Sequence, residues 1–136
     1  MRFADTNVLL YAISSDPAEA HKSAIAKELL SAHDLALSVQ VLQEFYVQAT
    51  RASRADALTH DTATALIETF TRFSVQSITL EVMQAALHTK HRFQLSYWDS
   101  AIIEAARSAR CDIVLSEDLG NGQDYDGVRV VNPFLD

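Results

Sequence analysis

Four acidic residues stand where strands are predicted to end or helices to begin, each within or beside an apolar stretch: Asp5, Glu44, Asp99 and Asp118. A carboxylate held near an apolar core is costly unless a cation or hydrogen bonds compensate its charge. Oxygen ligands gathered from separate elements suit Mg²⁺ or Mn²⁺. The pattern therefore indicates a metal-dependent phosphoryl-transfer site.

Each acid also has an ordinary structural explanation. Asp5 could cap the first helix, and Asp118 could form a turn ahead of glycines. Asp99 follows Ser96 by three residues, as in a capping box, and Glu44 could be a solvated residue at the edge of an apolar helix stripe. The joint placement of the four acids, rather than any one of them, favours a functional site.

Neighbouring polar side chains could support such a site. Thr6, Asn7 and Ser116 could orient carboxylates or a water molecule, although first-turn helix positions explain Thr6 and Asn7 equally well. Four cations are candidate phosphate contacts, and each could instead complement a helix C-terminus: Arg51, Arg54, Lys90 and Arg92.

Other site types are disfavoured by the composition. The five histidines form no paired ligand spacing and Cys111 is the single cysteine, which argues against a zinc site and excludes an internal disulfide. No glycine-rich phosphate loop is present, which argues against nucleotide binding of the P-loop or dinucleotide type.

Length and hydrophobic content predict one domain spanning residues 1–136. The net charge of −7 argues against a nucleic-acid partner, but four carboxylates in one site would leave only −3 elsewhere, and two divalent ions would neutralise that site. The apolar run at residues 8–13 is too short to span a bilayer, and no signal peptide is recognisable. We expect a cytoplasmic protein without a membrane segment.

Strands and helices are predicted to alternate along the chain. Such alternation predicts a mainly parallel sheet with helices on both faces, a three-layer α/β/α domain. Ligands bind such sheets beyond the carboxyl ends of the strands, where the strand order reverses. Asp5 and Asp118 meet there if strands one and four are neighbours. The predicted strands are 2–5, 35–39, 75–78, 113–115 and 128–131; the predicted helices follow residue 5 and cover 17–33, 41–49, 56–73, 80–92 and 97–110, with a loop at 120–127.

At these positions the sequence resembles the PIN-domain ribonucleases, and within them the VapC toxins of toxin–antitoxin pairs. The resemblance extends over essentially the whole chain. Its motifs are DTNVL at residues 5–9, EF at 44–45, YWDSAI at 97–102, LSEDL at 115–119 and GVRVVNPF at 127–134.

The resemblance implies a five-strand parallel sheet with strands one and four adjacent. It implies that Asp5, Glu44, Asp99 and Asp118 bind one or two Mg²⁺ or Mn²⁺ ions, with Ser116 as an accessory hydroxyl. The implied activity is endonucleolytic hydrolysis of RNA phosphodiester bonds, and the implied partners are a second copy of the chain and a small antitoxin. Three further acids could assist or replace Asp118: Glu117, Asp124 and Asp126.

Other functions stay open at this point. A haloacid-dehalogenase-like phosphatase would need a second aspartate where Asn7 stands. A response-regulator receiver would need its phosphoacceptor after strand three, where Leu80 and Glu81 follow. A PIN-like domain without catalysis, which only binds RNA or protein, is a third possibility. No residue identifies the RNA target.

Overall fold

A computed structural model of the chain describes residues 1–135 and contains a sheet in the order β3-β2-β1-β4-β6-β5. All neighbouring strands are parallel except β5 and β6. The predicted α/β fold with five parallel strands is therefore confirmed. The strands are β1 (Arg2–Ala4), β2 (Leu35–Ser38), β3 (Ser74–Gln76), β4 (Ile113–Leu115), β5 (Asp124–Tyr125) and β6 (Val128–Val131).

The segment predicted as a loop contains a strand that the sequence prediction missed. Asp124 and Tyr125 pair antiparallel with Arg129 and Val128 at the sheet edge. Asp126 and Gly127 both adopt positive φ, 55° and 93°, as a tight hairpin turn requires. A strand of two residues is too short to show any alternation of apolar and polar side chains, so only the Asp-Gly pair could have indicated it.

Helices flank the sheet in the predicted order, and side-chain caps determine where several of them begin. Ser38 caps α3, Thr79 caps α5 and Ser96 caps α6, each with its hydroxyl accepting a backbone N–H. The helices are α1 (Thr6–Ala12), α2 (Ala20–Leu30), α3 (Val39–Ala49), α4 (His60–Phe70), α5 (Leu80–Phe93) and α6 (Tyr97–Ser108).

Two predicted helices are shorter than expected. The helix predicted for 56–73 begins at His60, because Thr59 caps it by accepting from the Thr62 N–H. The helix predicted for 17–33 starts as a 3₁₀ turn, Pro17–Glu19, and continues as α2. None of the helices in residues 1–135 is long and apolar enough to cross a membrane.

The core lies along the central strands and brings their carboxyl ends to one edge. Phe3, Leu37, Val114 and Val130 are completely buried, one from each of β1, β2, β4 and β6. β2 lies next to β1, and β3 lies next to β2 on the same side. β4 lies on the other side of β1. The strand order therefore reverses between β1 and β4, which is where ligands bind in open parallel sheets.

Candidate active site

Asp5 lies directly beyond β1 at this reversal point. Its backbone N–H donates to the carbonyl of Leu115 at the end of β4, at 3.0 Å, so the carboxyl ends of the two strands are joined here. The Asp5 side chain caps α1 by accepting from the Thr6 N–H at 2.7 Å, and its second oxygen accepts from the Ser116 hydroxyl at 2.7 Å. Asp5 is thus both the predicted helix cap and a carboxylate held at the strand crevice.

The environment of Asp5 disfavours its charge. Burial is the main cause and raises the pKa of Asp5 to about 6, although the hydrogen bonds from Ser116 and Thr6 oppose the rise. The negative charges of Glu44 and Asp118, which line the same cleft, raise that pKa further. A group of mutually repelling acids around a buried carboxylate is stabilised by a bound cation.

Glu44 faces the same cleft from α3 and is half-buried. One of its carboxylate oxygens accepts from the Thr6 hydroxyl at 3.0 Å, and the other accepts from the side-chain amide of Gln40 at 2.8 Å. The same amide donates to the backbone carbonyl of Trp98 at 3.3 Å, which ties Glu44 to the start of α6. Glu44 is thus held in place and is not a freely solvated boundary residue.

Asp99 lies in the first turn of α6 and borders the same cleft. Its backbone N–H donates to the Ser96 hydroxyl at 3.1 Å, so the predicted cap is present. Its side chain is only half-buried and lines the cleft together with Ile102, three residues further along the helix. The capping turn therefore sets the position from which Asp99 reaches the cleft.

Asp118 lies on the loop after β4 and is the most exposed of the four acids. Its carboxylate accepts from the side-chain amide of Asn7 at 3.2 Å, and its backbone N–H donates to the Ser116 hydroxyl at 3.1 Å. Ser116 is completely buried, so one hydroxyl connects the Asp118 loop to Asp5. The three predicted supporting residues, Thr6, Asn7 and Ser116, all hydrogen bond to acids of the cleft.

Glu117, the acid next to Asp118 in the sequence, forms hydrogen bonds with Tyr11 and Lys22. Its two oxygens accept from the Tyr11 hydroxyl and the Lys22 ammonium, both at 2.5 Å. Burial alone would raise the pKa of Glu117, but the hydrogen bonds from Lys22 and Tyr11 outweigh it and hold the pKa below its ordinary value. Glu117 therefore anchors the loop that carries Asp118.

Asp124 and Asp126, which the sequence also offered for the fourth acidic position, lie in the β5–β6 hairpin. Asp124 accepts from the Gly127 N–H at 2.7 Å, and Asp126 forms an ion pair with Arg92. Neither lines the acidic cleft. Within this structure Asp118, and not Asp124 or Asp126, is the acid next to Asp5.

All four predicted acids line one cleft of about 270 Å³. In residues 1–135 no three Asp, Glu, His or Cys side chains converge closely enough to form a preassembled ion site. Hydrogen bonds from Thr6, Gln40 and Asn7 hold Glu44 and Asp118 instead. The available donors are carboxylate, hydroxyl and amide oxygens, the set that fits Mg²⁺ or Mn²⁺.

The four predicted cations are not gathered around the cleft. Arg54 lines it but is paired with Asp56 at 2.8 Å. Arg51 is exposed beside an adjoining groove, while Lys90 and Arg92 are exposed on the last turn of α5 and do not line the cleft. Three contributing residues were not predicted from the sequence, namely Gln40, Tyr11 and Lys22; only Gln40 had a local signal, since it precedes Glu44 by one helical turn.

The chain matches a known protein family. The family model of the PIN domain matches residues 2–120, which include all four acids of the cleft. The chain belongs to the PIN-domain family. The hairpin strand β5 and the last strand of this PIN domain, β6, lie beyond the matched segment.

Solved structures share the fold of this PIN domain at low sequence identity. A toxin–antitoxin complex from Klebsiella pneumoniae superimposes with a TM-score of 0.70 at 19% identity over 98% of each chain. VapC20 of Mycobacterium tuberculosis, a toxin that cleaves the sarcin–ricin loop, has a TM-score of 0.66 at 19% identity over 87% of this chain and 92% of its own. FitAcB from Neisseria gonorrhoeae has a TM-score of 0.61 at 19% identity, over 98% of this chain and 99% of its own. No curated protein sequence matches the chain.

Proposed function

We propose that this PIN domain is a Mg²⁺- or Mn²⁺-dependent endoribonuclease that hydrolyses RNA phosphodiester bonds. One observation supports this proposal above all: Asp5, Glu44, Asp99 and Asp118 come from four separate segments and line one cleft at the β1–β4 reversal. Structural needs such as capping explain Asp5 and Asp99 singly, but do not explain why all four acids face the same space.

Each acid has a distinct part in this proposal. Asp5 is the fixed ligand, because Ser116 and the Thr6 N–H hold both of its oxygens at the buried end of the cleft. Glu44 lines the cleft from α3, Asp118 from the loop after β4, and Asp99 from the first turn of α6. A divalent ion held by these acids would supply Lewis acidity, which would lower the pKa of a water molecule and offset negative charge on the phosphate.

We further propose that the protein is the toxin of a toxin–antitoxin pair. Support comes from the folds it resembles, since the Klebsiella pneumoniae structure is a toxin–antitoxin complex and VapC20 is a toxin. Its partners would be an RNA substrate, a second copy of the chain and a small antitoxin that blocks the acidic cleft. Expression without the antitoxin should arrest growth, and co-expression with the adjacent small gene product should relieve it; harmless expression in a host with susceptible RNA contradicts the toxin assignment.

Two rival functions have less support. A haloacid-dehalogenase-like phosphatase needs an acid at position 7, where the amide of Asn7 donates to Asp118 and so orients a neighbouring carboxylate. A PIN-like module that only binds would not need four acids in one cleft. The match of this chain to the PIN family favours the nuclease.

The decisive experiment measures cleavage of total RNA by the purified protein with Mn²⁺, Mg²⁺ or EDTA. We expect metal-dependent cleavage that is lost in Asp5→Asn and Asp99→Asn. Glu28→Gln is the matched control, because it removes one exposed charge from α2, away from the cleft. If the two aspartate variants are folded and cleave as well as the wild type, the metal-site assignment is wrong. Sequencing RNA ends after brief induction of wild type and Asp5→Asn would identify the target.

A further inference from the structure

Trp98 is exposed next to the acidic cleft. It is the single tryptophan of the chain, and 65% of it is accessible to solvent. It precedes Asp99 on the first turn of α6. One exposed apolar residue needs no special explanation, so the surroundings of this ring decide whether it has a function.

A groove of about 490 Å³ adjoins the cleft at Trp98. Glu44, Gln48 and Trp98 border both spaces, so the groove continues directly from the cleft. Its volume lies within the range of pockets that bind small molecules. Its remaining lining supplies two amides, one apolar side chain and one cation: Gln40 and Gln43, Val47, and Arg51.

The backbone of Trp98 is fixed relative to the candidate metal ligands. The side-chain amide of Gln40 donates to the Trp98 carbonyl at 3.3 Å and to Glu44 at 2.8 Å. The ring of Tyr97 meets the indole edge to face, with 5.0 Å between ring centroids. A ligand on the indole would therefore lie beside the cleft that Glu44 lines.

We propose that this groove binds an unpaired nucleobase of the RNA substrate, which stacks on Trp98 beside the scissile phosphate. Stacking on aromatic side chains is the usual way in which proteins hold bases of single-stranded RNA. The side-chain amides of Gln43 and Gln48 suit the hydrogen-bonding edges of a base, and Arg51 can contact the next phosphate. This inference rests on the proposed ribonuclease function and adds the part of the substrate that the groove selects.

The overall charge supports this role for stacking. At a net charge of −7 the protein attracts the RNA backbone weakly, so non-specific phosphate contacts contribute little affinity. Of the four candidate cations, Arg54 and Arg92 are paired with acids, and Lys90 does not line the cleft. Arg51 lines the adjoining groove. Stacking on an aromatic ring does not depend on the charge of the protein. A base in paired RNA must first leave its own stack before it can pack on Trp98, so Trp98 would favour single-stranded or looped substrates.

The single tryptophan makes a direct test possible. Asp5→Asn protein is titrated with the single-stranded hexamer rA6 in the presence of Mg²⁺ while its tryptophan fluorescence is recorded. We expect quenching by rA6 and little change with an abasic hexamer of the same length and charge. Equal quenching by both oligomers would mean that the phosphates alone are responsible, and would overturn the proposal.

Substitutions test the same point through binding. Measured by anisotropy of labelled rA6 on the Asp5→Asn background, Trp98→Leu should raise the dissociation constant about 5- to 150-fold, the loss expected for one stacked base. Trp98→Phe is the matched control, because it keeps an aromatic face and should lose much less. Both variants are checked for folding by circular dichroism. If the Trp98→Leu variant binds rA6 as tightly as the Trp98→Phe variant does, the ring acts only as apolar surface and the inference is wrong.

Two further outcomes separate base stacking from other uses of this surface. If the fluorescence changes with protein concentration, in step with a doubling of mass by light scattering, and not with RNA, a second copy covers Trp98 and the inference is overturned. If wild-type protein cleaves RNA and Trp98→Leu cleaves it with an unchanged KM, the nuclease proposal stands and the stacking site fails. Base-dependent quenching without any cleavage by wild type instead supports the stacking site and contradicts the nuclease.

Discussion

Asp5 is both the cap of α1 and a buried carboxylate of the acidic cleft. Either role alone could explain an aspartate at this position. The residue caps α1 through one oxygen and accepts from Ser116 through the other, yet its carboxylate also lies at the buried end of the acidic cleft. A cap explains an aspartate here, but asparagine or serine caps a helix about as well. The cost of burying this carboxylate, visible in its raised pKa, is what sets Asp5 apart from an ordinary cap.

The raised pKa predicts an unusual pH dependence of stability. A carboxyl group whose pKa is higher in the folded state stabilises the fold below its unfolded pKa and loses that contribution as pH rises through the folded value. The pKa of Asp5 rises from 3.8 to about 6, so without metal this group should cost the wild type up to ~3 kcal/mol of unfolding free energy between pH 4 and pH 7. Asp5→Asn should lack this loss.

Urea unfolding in EDTA, across that pH range, measures the difference between wild type and Asp5→Asn. Taking the difference cancels the other titrating groups, including Glu117, whose pKa is lowered and whose contribution has the opposite sign. A difference that does not vary with pH would show that Asp5 is solvated in the native protein.

Glu117 and Asp118 are neighbours in the sequence but are expected to differ in function. Asp118→Asn removes a proposed ligand and should lower cleavage activity by roughly 100-fold or more, whereas Glu117→Gln weakens a supporting contact and should cost roughly 10-fold. Cleavage rates at saturating Mn²⁺ measure both effects. Lys22→Met, which removes a hydrogen-bond donor to Glu117, is the matched control and should resemble Glu117→Gln. The reverse order of effects would make Glu117 the fourth ligand.

Among the secondary-structure elements, α6 connects the site to the rest of the fold. Its first turn carries Trp98 and Asp99, while its last turn holds the β5–β6 hairpin through Arg107, which donates to the carbonyls of Tyr125 and Asp126 at 2.6 and 2.7 Å. Arg107 also pairs with Glu104 at 2.9 Å. One helix thus fixes both the candidate site and the antiparallel edge of the sheet.

Loss of Arg107 should destabilise the protein strongly. Glu104 is only 5% exposed, and without Arg107 its carboxylate keeps only the Thr89 hydroxyl, which donates at 2.9 Å. Breaking such a pair from one side leaves a buried charge, so Arg107→Met should lower the unfolding free energy by about 3 kcal/mol at neutral pH. Denaturant unfolding measures the loss.

The control combines Arg107→Met with Glu104→Gln, which removes the unpaired charge and should restore part of the stability. If Arg107→Met alone unfolds within about 0.5 kcal/mol of wild type, the pair is not important for stability. The double variant should not recover fully, because the carbonyls of Tyr125 and Asp126 still lose their donor.

At the scale of the whole molecule, divalent ions should stabilise the fold. The acids of the cleft repel one another, so an ion that binds only the folded state should add about 2.7 kcal/mol at 100 times its dissociation constant, or roughly 10 °C in Tm. Thermal unfolding in Mn²⁺ and in EDTA, at ionic strength matched with NaCl, measures this. The Asp5→Asn, Asp99→Asn double variant should lose the shift; the same shift in that variant would place the ion elsewhere.

The sequence by itself determined the order of the helices and of the five parallel strands, and it picked out the four acids that we propose as metal ligands. The start of α6 depends on the local cap at Ser96, and central strands depend on runs of apolar residues, so both could be recognised along the chain. The cap at Ser38 was missed, because that residue ends an apolar run that reads as strand. Asp5, Asp99 and Asp118 could be selected because each stands at the end or beginning of such an element, and Glu44 because it flanks the apolar stripe of α3. The adjacency of β1 and β4 came from the family resemblance, and the structure confirms it.

Only the tertiary structure decided which side chains meet across the chain. Glu117 is directed to Lys22, 95 residues away in the sequence, and Gln40 to the Trp98 carbonyl, 58 residues away. These contacts depend on how the helices pack on the sheet, and no local pattern encodes them. The loop predicted around Tyr125 became an edge strand for the same reason, because its partner and Arg107 are brought to it by the fold.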